Sequence, residues 1–362
     1  MIKICHMASY NKNIGDNAAI YNIRDWFERE SNLSLEWYNI DMNDFYSRNN
    51  SIEYSKKFFS NIHQAYDAIF IGGGGLIEGH NYNKRETGWK LPFTEEILSL
   101  INIPIFCIGL GVNYFRGCAK LTDTGKRNLN LLIDKSAAFS VRNDGSQQIL
   151  KSYGIDVNEI PDPGLIFSPD LFKNRRKVNQ GFFQPARNSS QLINKHRDLD
   201  SSNLNFLEKL CEEYSLGSLP HTPKDFSFFK QVPLLIEPNA MPKLLKNTGY
   251  VDSLSAYYVY DFSVAMRGHG QLIACGVNLP GIYLSTQDKV FGFAVKNGYL
   301  NYTVDTSNKN WKSELKSKLN LLLNDKKYLD SWYDLNEKNN VNFHKTFSTE
   351  MRTVESALAL IG

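Results

Sequence analysis

The stretch "SVAMRGHGQLIAC", residues 263–275, decides the fold. Ser263–Met266 is a short apolar run that reads as a buried strand. Arg267-Gly268-His269-Gly270 interrupts it, and Gln271–Cys275 begins an apolar helical segment. A strand, a glycine-bearing turn and a helix in that order form half of a parallel βα unit. Working outward, the same alternation recurs. In the first half, Ile2–Cys5, Leu35–Ile40, Ala68–Ile71, Ile103–Ile108 and Ala138–Val141 read as strands. Ala18–Glu30, Glu95–Leu100, Gly125–Lys135 and Ser146–Tyr153 read as the helices between them. After Pro161-Asp162-Pro163-Gly164 and a basic stretch reaching Val178, strands resume at Gly181–Gln184, Leu216–Leu219, Pro233–Ile236 and Gly281–Leu284. Helices fit at Asn203–Tyr214 and Val290–Asn297. Nearly all-apolar strands alternating with helices imply parallel sheets covered on both faces, and right-handed crossovers make them doubly wound.

The expected fold class is therefore α/β, with two Rossmann-like domains facing each other over a cleft. The expected limits are residues 1–172 and 178–345. A C-terminal helix over 346–362 has no strand partner and is expected to cross back onto the first domain. The helical period is clear at Ser313–Leu323 and Glu350–Ile361, whereas the Lys/Asn-rich stretch 301–345 carries little chemical information.

Composition narrows the function. A chain of 362 residues exceeds the size at which a single core stops growing. A net charge of +3 argues against a nucleic-acid binder, which would show a basic face or tail. The one basic run, Lys173-Asn174-Arg175-Arg176-Lys177, reads as a solvated linker, the alternative being a contact for anionic lipid or a diphosphate. Five cysteines (Cys5, Cys107, Cys118, Cys211, Cys275), odd in number and lacking a C-x-x-C pair, fit neither a disulfide framework nor a zinc site. They read as buried thiols of a reducing compartment. No signal peptide and no membrane-spanning run is expected, so the expected location is cytoplasmic, with peripheral contact at the inner face of the membrane left open. Neither a metal nor a cofactor is expected.

In open parallel sheets, ligands bind beyond the carboxyl ends of the strands. Arg267 and His269 fall there, at a helix N-terminus that presents free N–H groups and partial positive charge. The Arg267 guanidinium suits phosphate or carboxylate. Gly268 and Gly270 let a ligand approach the backbone. The helix end favours neutral His269 and a bound anion favours its cation, a balance suited to acid–base work. The alternative is a plain turn with a structural histidine. In "NKNIGDNAAI", residues 11–20, Asp16 or Asn17 can cap a helix, or Asp16 can orient a hydroxyl. In "IFIGGGGLIEGH", residues 69–80, Gly72–Gly75 follow a strand and lack both dinucleotide and P-loop spacing. The loop after them carries His80, Tyr82, Arg85 and Trp89. Trp89 can offer a face to a sugar, although such a residue more often belongs to the core. Arg142, in "AFSVRNDGS", is a second cation at a sheet edge. Lys289, in "STQDKVFGF", is placed to meet a phosphate, and His221, in "LPHTPKD", reads as structural.

Taken in order, "NIGD", "GGGGL", "GLG", "SVRNDGS", "PDPGL", "MRGHGQ" and "DKV" resemble the polysaccharide pyruvyl transferase family. The resemblance covers roughly Ile2 to Gly298. This chain has Arg-Gly-His where many members have Arg-Leu-His, which leaves the acceptor class open. The resemblance implies a glycosyltransferase B-like fold, with the acceptor on the N-terminal domain and the donor on the C-terminal one. It implies transfer of pyruvate from phosphoenolpyruvate to two hydroxyls of one sugar, giving a cyclic ketal, with Arg267, His269, Arg142 and Asp16 carried over as functional residues. The expected catalytic residues are His269, Arg267 and Asp16. The donor would be held by Arg267, His269, Gly268, Gly270, Arg142 and Lys289, and the acceptor by Asp16, Asn17, Gly73, Gly74 and Trp89. The partners implied are phosphoenolpyruvate, as co-substrate, and a saccharide, free, nucleotide-linked or on a lipid carrier; the oligomeric state stays open. Two alternatives remain: a nucleotide-sugar-dependent glycosyltransferase of the same fold, and a non-catalytic carbohydrate- or phosphate-binding protein.

Overall fold

The computed structural model describes residues 1–47, 51–79, 82–113, 121–168, 180–187, 192, 200–246 and 254–361. The basic run at 173–177, His80, Cys118 and the expected limits at 172 and 178 lie outside these residues. The chain divides into two units, and neither is a continuous segment. The first comprises Met1–Tyr10, Ala19–Pro163 and His344–Gly362; the second comprises Asn11–Ala18 and Gly164–Phe343.

The first unit holds a six-stranded parallel sheet made of β1 (Ile2–Ala8), β2 (Leu35–Asp41), β3 (Ala68–Ile77), β4 (Ile105–Val112), β5 (Ala138–Arg142) and β6 (Asn158–Ile160). Its order is β2-β1-β3-β4-β5-β6. The direction of winding reverses between β1 and β3, the position at which such sheets bind ligands. The strand read as Ala68–Ile71 continues through Gly72–Gly75 to Ile77. Four glycines conceal it because glycine packs no side chain and weakens a strand signal. Gly73 has φ +84°, and a Cβ there would lie 2.4 Å from Ile20, so the glycines seat the strand against its covering helix.

The second unit holds a five-stranded parallel sheet of β7 (Gly181–Gln184), β8 (Gly217–Ser218), β9 (Phe262–Ala265), β10 (Gly281–Ser285) and β11 (Thr303–Asp305), in the order β11-β10-β9-β7-β8. The strand expected at Pro233–Ile236 is reduced to one parallel bridge, Ser218 to Leu234. With that bridge counted, winding runs one way from β7 and the other way from β9, the dinucleotide-fold pattern.

Among the described residues, the helices of six or more residues are α1 (Ile14–Glu30), α2 (Ser51–Ser60), α3 (Glu95–Leu100), α4 (Asp123–Lys135), α5 (Ser146–Lys151), α6 (Ser201–Glu213), α7 (Gly268–Gly276), α8 (Asp288–Asn297), α9 (Trp311–Asn324) and α10 (Lys326–Ala359). Capping side chains fix several starts: Thr94 accepts from the Ile97 N–H, Thr122 from Gly125, and Asp200 from Ser202 and Asn203. The Lys/Asn-rich stretch belongs largely to α9 and α10. In α10 the buried stripe is Trp332, Asn336, Phe343, Phe347, Met351, Val354 and Leu358, at three-, four- and seven-residue steps. Trp332, Asn336 and Phe343 lie in the second unit, where Asn336 donates to the Cys275 carbonyl and accepts from the Tyr299 hydroxyl. From His344 onward the helix belongs to the first unit, where Ser348 accepts from the Trp26 indole. Among the described residues no helix is long and apolar enough to cross a membrane.

Cys5, Cys107, Cys211 and Cys275 are all buried. Burial pushes the thiols of Cys5, Cys107 and Cys275 up to about 12, and that of Cys211 upward as well. Alkylation at pH 8 should therefore leave these four unmodified in the folded protein and label them all in denaturant. Peptide mapping of the labelled chain checks this.

Candidate functional site

The site grows from the point in the second sheet where winding reverses. Gln184 ends β7, and its backbone carbonyl accepts from the Met266 N–H at 3.0 Å. Its side-chain oxygen accepts from the Arg267 N–H at 2.9 Å. Gln184 thus joins the carboxyl ends of two adjacent strands and fixes where the chain turns. Arg267 is the N-cap of α7, so the helix starts at Gly268, earlier than the sequence pattern indicated. Gly268, His269 and Gly270 form its first turn, whose N–H groups have no acceptor within the helix. A Cβ on Gly270 would lie 2.5 Å from the Gln184 side-chain oxygen, so glycine is required there for the strands' ends to meet.

Arg267 is anchored by Asp225. Its Nε donates to Oδ2 at 3.0 Å and its Nη2 to Oδ1 at 2.7 Å, with a further bond from Nη2 to the Thr222 hydroxyl at 3.3 Å. His269 is nearly buried, and its Nδ1 stands 3.6 Å from Asp16 Oδ1. Gly15 makes that approach possible: a Cβ there would fall 2.1 Å from the His269 Cβ. Asp16 does not cap its helix. Asn13 precedes α1 and accepts from the Gly15 N–H at 2.9 Å, which leaves the Asp16 carboxylate to face the imidazole. All these residues belong to the second unit. Lys289 lies in the first turn of α8, beyond β10. Its methylenes pass 3.4–3.6 Å from where a Gly268 Cβ would sit, so its stem crosses the opening of α7. Two helix N-termini, Arg267, Lys289 and His269 make this edge suited to an anion, and the Asp16–His269 pair is suited to moving a proton.

Several expected site residues have other employment. Arg142 is 2 % exposed; its Nε donates to Asp144 at 2.6 Å and its Nη1 to Asp162 at 3.0 Å. Two buried carboxylates therefore occupy the cation expected to hold the donor. This pairing also links "SVRNDGS" to "PDPGL". Trp89 is fully buried, with its indole N–H directed to the Phe93 carbonyl, so it offers no face to a sugar. Asn17 is 5 % exposed, and its amide ties the Leu245 carbonyl at 2.7 Å to the Asn11 N–H. Gly73 and Gly74 are buried strand residues of the first unit. The sequence reading missed Gln184 and Asp225. The T-x-x-D spacing of Thr222 and Asp225 was the available signal, a capping pattern within "LPHTPKD".

His221 is fully buried. Its Nε2 meets the Tyr257 hydroxyl at 2.8 Å, while its Nδ1 has no hydrogen-bond partner among the described residues. Burial, then the charges of Arg267 and His269, hold its pKa well below the usual 6.5. His6, in the first unit, is likewise depressed by burial and by Arg24.

A sequence model of a family described as polysaccharide pyruvyl transferase matches residues 13–288. No curated protein sequence matches the chain. Among solved structures, UDP-GlcNAc 2-epimerase of Methanocaldococcus jannaschii aligns with a TM-score of 0.52 at 15% identity, over 90% of this chain and 94% of that one. The α,α-trehalose 6-phosphate synthase of Burkholderia multivorans aligns with a TM-score of 0.51 at 10% identity, over 99% of each chain. At such identities the likeness concerns the fold, that of two Rossmann-like domains.

Two outcomes test these assignments. Arg142→Ala strands two buried carboxylates and should cost about 3–5 kcal/mol of stability, read from urea unfolding. His6 and His221 stay neutral when folded but take up protons when unfolded, so their contribution is intact above the usual 6.5 and lost as pH falls below it. Each histidine should account for a loss of about 1.4 kcal/mol in total between pH 7.5 and 5.5, read from unfolding midpoints across that range.

Proposed function

The chain belongs to the polysaccharide pyruvyl transferase family, and from that premise we propose that it moves pyruvate from phosphoenolpyruvate onto two hydroxyls of one sugar. The product is a cyclic ketal of a cell-surface polysaccharide. The observation that carries this reading is the set of cationic groups around the first turn of α7, with the carboxylate of Asp16 3.6 Å from His269. Phosphoenolpyruvate carries a phosphate and a carboxylate on three carbons. Such a compact, multiply charged ligand suits several cations and helix N-termini gathered on one edge.

The steps follow from the residues. Arg267, Lys289 and the N–H groups of Gly268 and Gly270 hold the donor's anionic groups. Protonated His269 gives its proton to the terminal methylene carbon, which becomes a methyl group. The electron pair of the double bond forms that C–H bond, and the central carbon becomes electron-poor. A sugar hydroxyl attacks this carbon and gives up its proton, with Asp16 orienting the hydroxyl or accepting the proton. The bond from the central carbon to the phosphate oxygen then breaks, and phosphate leaves with the electron pair. A neighbouring hydroxyl closes the ring and releases the second proton. Fixed cations aimed at charge that changes during reaction supply most of the acceleration.

Incubation of the protein with phosphoenolpyruvate and candidate saccharides should release phosphate and give a saccharide heavier by one pyruvate less water, read by mass spectrometry. His269→Ala and Arg267→Ala should each lower turnover at least ~10²–10³-fold while the fold survives. Wild-type rates in both variants, or a strict need for a nucleoside diphospho-sugar, would refute the reading.

A further inference from the structure

Asp225 has no exposed side-chain surface, whereas the guanidinium it binds keeps 17% of its side-chain surface open. Among the described residues, six hydrogen bonds reach this one carboxylate. Two come from Arg267, at Nε and Nη2. The other four come from uncharged donors: the backbone N–H groups of Arg187 (3.1 Å), His221 (3.2 Å) and Thr222 (3.0 Å), and the Thr222 hydroxyl (3.0 Å). A carboxylate offers about four lone-pair directions, so its negative charge is shared widely. Arg267 is thus gripped along one edge without being cancelled as a charge. Among the described residues its Nη1 makes no hydrogen bond.

We propose that Asp225 is a positioning residue that turns Arg267 into an oriented anion grip, holding the Nε–Nη2 edge so that the Nη1 edge is presented to a phosphate-bearing ligand. An arginine side chain otherwise has many rotamers, and immobilising it on binding costs affinity. The buried carboxylate meets that cost during folding. Two parallel bonds also fix the plane of the guanidinium, which a single contact would not. Asp225 touches no substrate and acts through Arg267 alone. The role rests on Arg267 belonging to the donor site, yet it concerns the binding of phosphate and needs no turnover.

The test is a double-mutant cycle read as inorganic phosphate affinity by calorimetry on the full chain, with melting temperature followed in parallel. Asp225→Asn keeps the size but removes the charge and one acceptor, and should weaken phosphate binding at least tenfold. Arg267→Ala should weaken it by as much or more. The double variant should be no weaker than Arg267→Ala, within about threefold, because Asp225 has nothing left to orient. Multiplicative losses, unchanged binding in Asp225→Asn, or no phosphate binding by the unsubstituted protein each overturn the proposal. If Asp225→Asn does not fold, Arg267→Lys decides, since it keeps the charge but cannot make both bonds. A tenfold loss supports orientation, and wild-type affinity overturns it. Intact coupling without any phosphoenolpyruvate turnover would sink the pyruvyl-transfer reading and leave this one standing. Turnover with multiplicative losses would do the reverse.

Discussion

A buried carboxylate is tolerated only when its charge is met, and Asp225 is met from three parts of the chain. Arg187 follows β7, Thr222 and His221 follow β8, and Arg267 follows β9. One side chain thereby gathers the carboxyl ends of three neighbouring strands of the second sheet. The position of α7 follows, because Arg267 is its N-cap. The position of His269 follows from α7, and Gly15 and Asp16 are shaped to that imidazole. Removing the carboxylate would leave donors from all three loops unsatisfied together.

The first unit resolves a similar problem differently. Arg142 is enclosed by Asp144 and Asp162, both nearly inaccessible. Asp144 also accepts from the Ser146 N–H and hydroxyl, and the Ser146 oxygen in turn accepts from the Val112 N–H. Here the cation is consumed by its partners, while at Arg267 it is held open. Two arginines, each at the end of a parallel strand, differ in what surrounds them rather than in their own chemistry.

That contrast explains how far the sequence could be read. Strand–helix alternation was plain because buried parallel strands are nearly all apolar, and "MRGHGQ" was plain because glycines around two potential cations are unusual. Arg142 looked equivalent to Arg267 because one of its two partners, Asp162, lies 20 residues away, and pairing over that distance leaves no local trace. Asp225 was missed for a similar reason, since it lies 42 residues from the arginine it holds. The burial of Trp89 was legible only as a tendency: such a tryptophan more often belongs to the core, yet nothing local separates that case from a sugar-facing one. The long C-terminal helix was half visible: lysines and asparagines on its outer face diluted a stripe that is continuous from Trp332 to Leu358.

That stripe bears on the order in which the protein can finish folding. The first unit takes Phe347, Met351, Val354 and Leu358 from α10. Domains generally mature during synthesis from the amino terminus onward. Here the first unit lacks part of its apolar core until α10, made after every strand of the second sheet, has left the ribosome. Of the two units, the one whose sheet is made first thus waits for a helix made after the other's sheet.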